Sequence, residues 1–446
     1  MKPAGTTKPT NSEVLAVELC IIADDVTGAN DAGVQCARHG YTPAVALTGR
    51  LTDSLLREQV LIVNTDSRPF YGEQAYNRVR SVSDALAASV PKVVYKKIDS
   101  TLRGAVGAEL DAVFDAFQPD FIVVNPSYPA KHRVIKGGQL YVNDIPLQEA
   151  GYTTFAGETA VTSSVVEIIE ADSKRRAVHL DDDMLYGNDL PAVLTQEQNK
   201  GTAFLSFDSS TEADLQKGME QLLDSGFSIL FAGSAGAAFY LFPEPGRTKQ
   251  NPVYSSLLKD SSPRSALFVV GSRSDISRKQ RQLLMTEPDI VPLSLSPSLF
   301  FDQKTRETEI EKVIEQIVHQ HPSYSLLYLE SGQAAVQAVE SHADAAGISL
   351  QEASLYMAEQ MGYIVSRIYE RIPYDALFLT GGDIASAVCT SLGSDSLELY
   401  GEWEPGIPIG RLRGAFRPLV MTKAGGFGNE DSLIQALHFF QGGTNE

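Results

Sequence analysis

Residues 17–40 read VELCIIADDVTGANDAGVQCARHG, an apolar run that delivers two carboxylates into a glycine-containing turn. Val17, Leu19, Cys20, Ile21, Ile22 and Ala23 form a short, partly β-branched stretch, as a buried parallel strand should. Asp24 and Asp25 then stand at its carboxyl end, the edge of an open α/β sheet where ligands bind. Thr27, Gly28, Ala29 and Asn30 supply a turn and a cap, and a small-residue helix containing Gly33, Cys36 and Ala37 follows. Taken alone, the two acids read as well as plain solvated loop carboxylates or a helix N-cap as they do as ligand-facing groups.

Working outward, the same strand, polar turn and helix recur. Spans 43–47 and 60–64 read as strands, the second running into NTDSR (64–68), and 73–86 has helical spacing. A strand at 92–95 leads into KKIDSTLRG (96–104), which sets Lys96, Lys97, Asp99, Ser100, Thr101 and Arg103 just before a helix at 105–117. Hydroxyls, cations and a helix amino terminus together suit a carboxylate or phosphate. A strand at 121–124 enters NPSYPAKHRVIKGGQLYVNDIPL (125–147), a cationic loop carrying Lys131, His132, Arg133 and Lys136. The end of that loop reads as a short hairpin able to cover a substrate.

The alternation continues to 241, and residues 242–265 then concentrate Pro, Gly, Ser and charge, as an interdomain linker does. The second half restarts with a strand at 266–270 running into GSRSDISRKQ (271–280). A long helix at 350–371 follows, then strands feeding TGGDIASAV (380–388) and TKAGGFGNEDSL (422–433). Three strand-to-glycine-loop-to-helix units in one half point to a phosphate-binding edge, since glycine lets the backbone approach and helix-start amides donate. Neither a Walker A sequence nor GxGxxG occurs there.

A length of 446 residues predicts two or three domains, and 43% hydrophobic content with 35 glycines fits an α/β enzyme. A formal net charge of −19 argues against a general nucleic-acid binder without excluding a small anionic substrate held by a local basic cluster. Cys20, Cys36 and Cys389 have no metal-ligand spacing and form no disulfide framework, which fits a reducing cytoplasm. The opening MKPAGTTKPTNSE lacks the apolar core of a signal peptide, and no stretch approaches the roughly 20 apolar residues of a membrane span.

IADDVTGANDAGVQ, KKIDSTLRGAVGAEL, NPSYPAKHRVIKGGQLYVND, the GSRS turn, LTGGD and KAGGFGNEDSL, in this order, resemble the four-carbon acid sugar kinase family (DUF1537). The likeness runs from about residue 17 to 440. It implies two domains, each a mostly parallel doubly wound sheet with flanking helices, with the active site in the cleft between them. The expected division is a disordered extension over 1–15, a sugar-acid domain over 16–243, a linker over 244–264 and an ATP-binding domain over 265–441. The first two motifs are more similar to those of D-threonate and D-erythronate kinases than of 3-oxo-tetronate kinases, and D-threonate is the favoured substrate. Val26 departs from the pattern, where an aromatic is expected, which bears on pocket shape.

The implied reaction moves the ATP γ-phosphoryl group to the 4-hydroxyl, with Mg²⁺ accompanying ATP and no dedicated metal motif in the chain. Phosphoryl transfer needs alignment and charge neutralisation more than covalent help. Asp25, with Asp24 as alternate, is the candidate base, and Lys97 the group that neutralises the transferred phosphoryl. Arg103 with Ser100 is the candidate clamp for the substrate carboxylate, while Asp99 holds Arg103 or a substrate hydroxyl. By resemblance Ser272, Ser274, Gly381, Gly382, Asp383, Gly425 and Gly426 belong to the ATP site. Domain closure on substrate is expected, and a homodimer is the candidate assembly. Two rival classes are a dinucleotide-dependent oxidoreductase, which lacks its fingerprint here, and a non-catalytic sugar-acid sensor, for which no DNA-binding element stands out.

Overall fold

The apolar run at the start becomes β1 (Leu19–Ala23), buried along its whole length, in a computed structural model that describes residues 17–152, 160–242, 263–272, 274–302, 304 and 306–442. The expected extension over 1–15 and nearly all of the expected linker over 244–264 lie outside the described residues. In chain order the first half adds β2 (Ala44–Ala46), β3 (Val60–Asn64), β4 (Val93–Lys97) and β5 (Phe121–Asn125). Three short antiparallel strands, β6 (Arg133–Lys136), β7 (Gln139–Val142) and β8 (Ile145–Pro146), form a small separate sheet, so the predicted hairpin is present. β9 (Arg176–Leu180), β10 (Thr202–Phe207) and β11 (Ile229–Gly233) complete that half.

The second half contributes β12 (Ala266–Val270), β13 (Ile290–Leu295), β14 (Tyr324–Leu329), β15 (Ala376–Thr380), β16 (Ser396–Glu404), β17 (Ile407–Arg413) and β18 (Leu419–Lys423). Within each half the pairings are mostly parallel and the helices lie against the sheet, as expected of an α/β protein. The two halves share one sheet. Its order is β13-β14-β12-β15-β18-β17-β16-β2-β3-β1-β4-β11-β5-β10-β9, and the junction is an antiparallel pairing of β16 with β2 in which Leu397 faces Val45.

Local sequence explains how the first helix comes to lie at this junction. Asp25, in extended backbone, caps the helix Val26–Arg38 by accepting the Gly28 N–H at 2.7 Å. Ala29, Ala32 and Ala37 are buried along it, and a Cβ at Gly33 would stand 2.8 Å from the Leu399 side chain of β16. The helix therefore packs closely against the other half, which small residues permit.

Candidate active site

Parallel pairing sets the ends of β3, β1 and β4 side by side: Ala23 is in register with Asn64 on one flank and Lys97 on the other. The polar runs that follow those strands thus meet at one edge. Arg68, from the NTDSR run, grips Asp24 through Nε at 2.8 Å and Nη2 at 2.9 Å, and its Nη1 pairs with Asp25. Burial alone would raise the Asp24 carboxyl, but Arg68, Lys96 and Lys97 outweigh it and hold Asp24 below the usual carboxylate range. Asp25 moves the other way, pushed up by burial and by Asp24 against the pull of Arg68.

Lys96 and Lys97 point to opposite faces of β4, as alternate strand residues must. Lys96 is fully buried and pairs with Glu109 at 2.6 Å, so it belongs to the core rather than to the predicted anion cluster. Lys97 donates to the Ile98 carbonyl at 2.8 Å and lines a cavity of about 360 Å³. Asp25, Asp99, Ser100 and Arg103 line it too, whereas Asp24 lies behind. Asp99 receives Arg103 Nε at 2.9 Å and Nη2 at 2.7 Å, together with the Thr101 amide. Burial would lift Asp99, yet Arg103 and Arg68 keep its carboxyl well below the ordinary range.

Tyr128, Lys131 and Arg133 close another side of this cavity, and Ala424 and Phe427 reach it from the second half. Lys131 Nζ stands 5.1 Å from the Tyr128 ring centre and 5.0 Å from that of Phe427, so a cation–π contact bridges the halves. Asp31, on the same face of its helix as Thr27, lines this cavity and a narrow cleft beside Gly381, Gly382 and Lys423. Burial raises its carboxyl to about 6, against Lys131 and Lys97.

In the second half, a pocket of about 250 Å³ is lined by Ser272, Gly381 and Asp383 together with apolar Val336, Val339 and Met357. Ser274 does not line it. It caps the helix Asp275–Leu284 by accepting the Ser277 N–H at 3.2 Å, and its hydroxyl donates to the Gly425 carbonyl at 2.5 Å. Gly425 lies so close that a Cβ there would meet Ser272 Oγ at 2.1 Å, while Gly426 faces open space. Gly381, with φ 106°, starts the helix Gly382–Ser391, and a Cβ on Gly382 would approach Thr27 Oγ1 to 3.2 Å. Two helix amino termini, one from each half, therefore meet between the two pockets. Lys423, buried at the end of β18, donates to Ser277 Oγ, the Ala424 carbonyl and the Gly425 carbonyl, each at 3.2 Å. Burial lowers its ammonium to about 8.

Arg68, Asp31 and Lys423 are site residues that sequence reasoning left without a role. Each had a faint signal: Arg68 closes a polar run after a strand, Asp31 lies four residues beyond Thr27 in the opening motif, and Lys423 ends a strand before a glycine loop. Among the described residues no group of three or more His, Cys, Asp or Glu could hold a metal ion, and no helix is long and apolar enough to cross a membrane.

Family models divide the chain as the two pockets do. A sugar-binding N-terminal domain matches residues 19–241 and a nucleotide-binding C-terminal domain matches 267–433. A D-threonate kinase of Salmonella typhimurium is 30% identical over 433 residues, covering 95% of this chain and 99% of its own. The chain belongs to the four-carbon acid sugar kinase family. Other members include a D-erythronate kinase of Heliobacterium modesticaldum (29% identical, 94% of this chain, 96% of that one) and a 3-oxo-tetronate kinase of Pectobacterium atrosepticum (25%, 95% and 99%). The family fold recurs in a crystal structure from Salmonella typhimurium LT2 (TM-score 0.74, 21% identity, 94% of this chain, 98% of that one). It recurs again in a DUF1537 protein from Haemophilus influenzae (TM-score 0.69, 18%, 95% and 100%). Kinase relatives and a nucleotide-binding domain imply use of ATP.

Proposed function

We propose that this chain transfers the γ-phosphoryl group of ATP to the 4-hydroxyl of a four-carbon sugar acid, D-threonate in the first instance, with D-erythronate and 3-oxo-tetronates as the alternatives. One observation carries the reading: a cationic cavity of about 360 Å³ in the half matched to sugar binding adjoins, across Asp31 and Gly382, the glycine-lined edge of the half matched to nucleotide binding. In this reading residues 16–243 hold the acid and 265–441 hold ATP.

Asp31 takes the proton from the attacking hydroxyl. It faces both cavities, its carboxyl accepts no hydrogen bond among the described residues, and a value of about 6 leaves it ionised near neutrality. Asp25 instead orients, since Gly28 and Arg68 already occupy its oxygens. Asp24 holds Arg68 in place. Lys97 and the two helix amino termini lower the cost of gathering phosphoryl charge between the halves. The Ser272, Gly381 and Gly425 to Gly426 loops cradle phosphates, and Lys423 sets the last of these loops through the Gly425 carbonyl. Asp383, on the wall of the second-half pocket, is the carboxylate that would hold an Mg²⁺ brought by ATP, and that ion would add to the charge neutralisation there.

The test is coupled ADP release with Mg²⁺-ATP and a panel of D-threonate, D-erythronate, their L-isomers and 3-oxo-tetronates. Turnover of one acid, with kcat lowered about 100-fold or more in Asp31→Asn, is the expected outcome. ADP release from no member of the panel, alongside thermal stabilisation by one of them, would favour a sensor instead.

A further inference from the structure

The cations around the sugar-acid cavity are unequally committed. Five line it: Arg68, Lys97, Arg103, Lys131 and Arg133. Arg68 is forked onto Asp24 and touches Asp25, and Arg103 commits its Nε and Nη2 to Asp99. A substrate carboxylate could take the Nε–Nη2 side of either guanidinium only by displacing charge-assisted bonds already made. Lys97 spends a donor on its neighbour's carbonyl and stands beside the Asp25 cap.

Arg133 differs. Its Nη1 donates to the Lys131 backbone carbonyl, its Nε is buried without a partner, and no carboxylate lies within ion-pair reach of it among the described residues. Its backbone is fixed from two sides. Arg133 starts β6 opposite Val142 of β7, and its amide and carbonyl pair with Tyr128 at 3.2 and 2.8 Å. A guanidinium with unfilled donors, on a hydrogen-bonded strand and facing a cavity, is built to receive a planar anion. Lys131, two residues before it, adds a second positive charge held between aromatic rings.

We propose that Arg133, with Lys131 beside it, binds the substrate carboxylate, and that Arg103 is a positioning residue that fixes Asp99. This assignment rests on the sugar-acid reading and deepens it. Discrimination between a four-carbon acid and the corresponding neutral polyol then resides in the β6–β7 hairpin, not in the KKIDSTLRG motif.

The experiment is calorimetric binding to the full chain without ATP, comparing D-threonate and D-erythronate with the neutral tetritols D-threitol and erythritol. Wild type, Arg133→Gln, Arg133→Lys and Arg103→Gln are compared, with thermal melts confirming that each is folded. Arg133→Gln is expected to weaken acid binding by about 10- to 100-fold, with tetritol binding little changed. Arg133→Lys should restore part of the preference, and Arg103→Gln should keep most of it. Where tetritol binding is below detection, the acid Kd alone makes the comparison. An unchanged acid preference in Arg133→Gln overturns the proposal, as does its loss in Arg103→Gln alone. An acid that binds through Arg133 yet is never phosphorylated removes the kinase reading and leaves this one standing, whereas failure of every acid to bind the wild type removes both.

Discussion

Asn30 Nδ2 donates a buried 3.1 Å hydrogen bond to Thr422 Oγ1, tying the first helix of the sugar-binding half to the last strand of the nucleotide-binding half. Both side chains are almost fully buried. Removing either partner strands the other away from water, at a cost of about 1–3 kcal/mol. Asn30→Ala and Thr422→Val should each destabilise the chain by that amount in urea unfolding, and the double variant by much less than their sum. Additive losses would mean that the two residues do not act as a pair.

The Lys96–Glu109 pair makes a similar forecast about the core. With Lys96 fully enclosed, Lys96→Met leaves Glu109 as a buried unpaired carboxylate and is expected to cost about 3–5 kcal/mol. Lys96→Met combined with Glu109→Leu should recover most of that loss in the same unfolding measurement.

Asp31 sets two pH dependences. Its folded value, about 6, lies above the ordinary 3.8 of an aspartate, so the folded chain binds the proton more tightly than the unfolded chain does. The contribution of Asp31 to stability therefore falls as pH rises from about 4 to about 6 and then levels off, and Asp31→Asn should remove that slope from the melting profile. As the base, Asp31 also predicts a kcat/KM that climbs to a plateau through about pH 6. A flat kcat/KM between pH 5 and 7 would assign the proton transfer elsewhere.

Lys423 behaves in the opposite sense. Burial holds its ammonium at about 8, below the ordinary 10.5 of a lysine. Below pH 8 the buried charge is present in full. Between about 8 and 10.5 the folded chain sheds the proton first, so stability relative to Lys423→Met rises with pH. A bound phosphate should draw the proton back. Nucleotide binding near pH 8.5 is expected to take up a proton, read as a dependence of the calorimetric heat on buffer ionisation enthalpy that disappears in Lys423→Met.

The apolar runs of β1, β3, β5, β12 and β15 were legible because buried parallel strands are apolar along their length. The glycine turns that end several strands were legible because few other residues fit there. Asp25 resolved toward the plainer of its two sequence readings, an N-cap, while remaining at the cavity wall. What could not be read was pairing between distant segments: nothing in NTDSR tells which acid Arg68 will grip, and nothing in KKIDSTLRG says that Lys96 turns inward to Glu109. β16 and β17 went unrecognised as well, since the mixed run SLELYGEWE derives its role from a partner, Ala44–Ala46, some 350 positions earlier.

That partnership limits how the enzyme can be taken apart. β16 and β2 are hydrogen-bonded neighbours in a continuous sheet, so a cut anywhere between the halves leaves each fragment with an unpaired strand border. Separately expressed halves should therefore self-associate or precipitate, and co-expression should return the pair to solution. The shared border also acts as a splint across the cleft. With the halves held in one ladder, the two substrate edges keep their register.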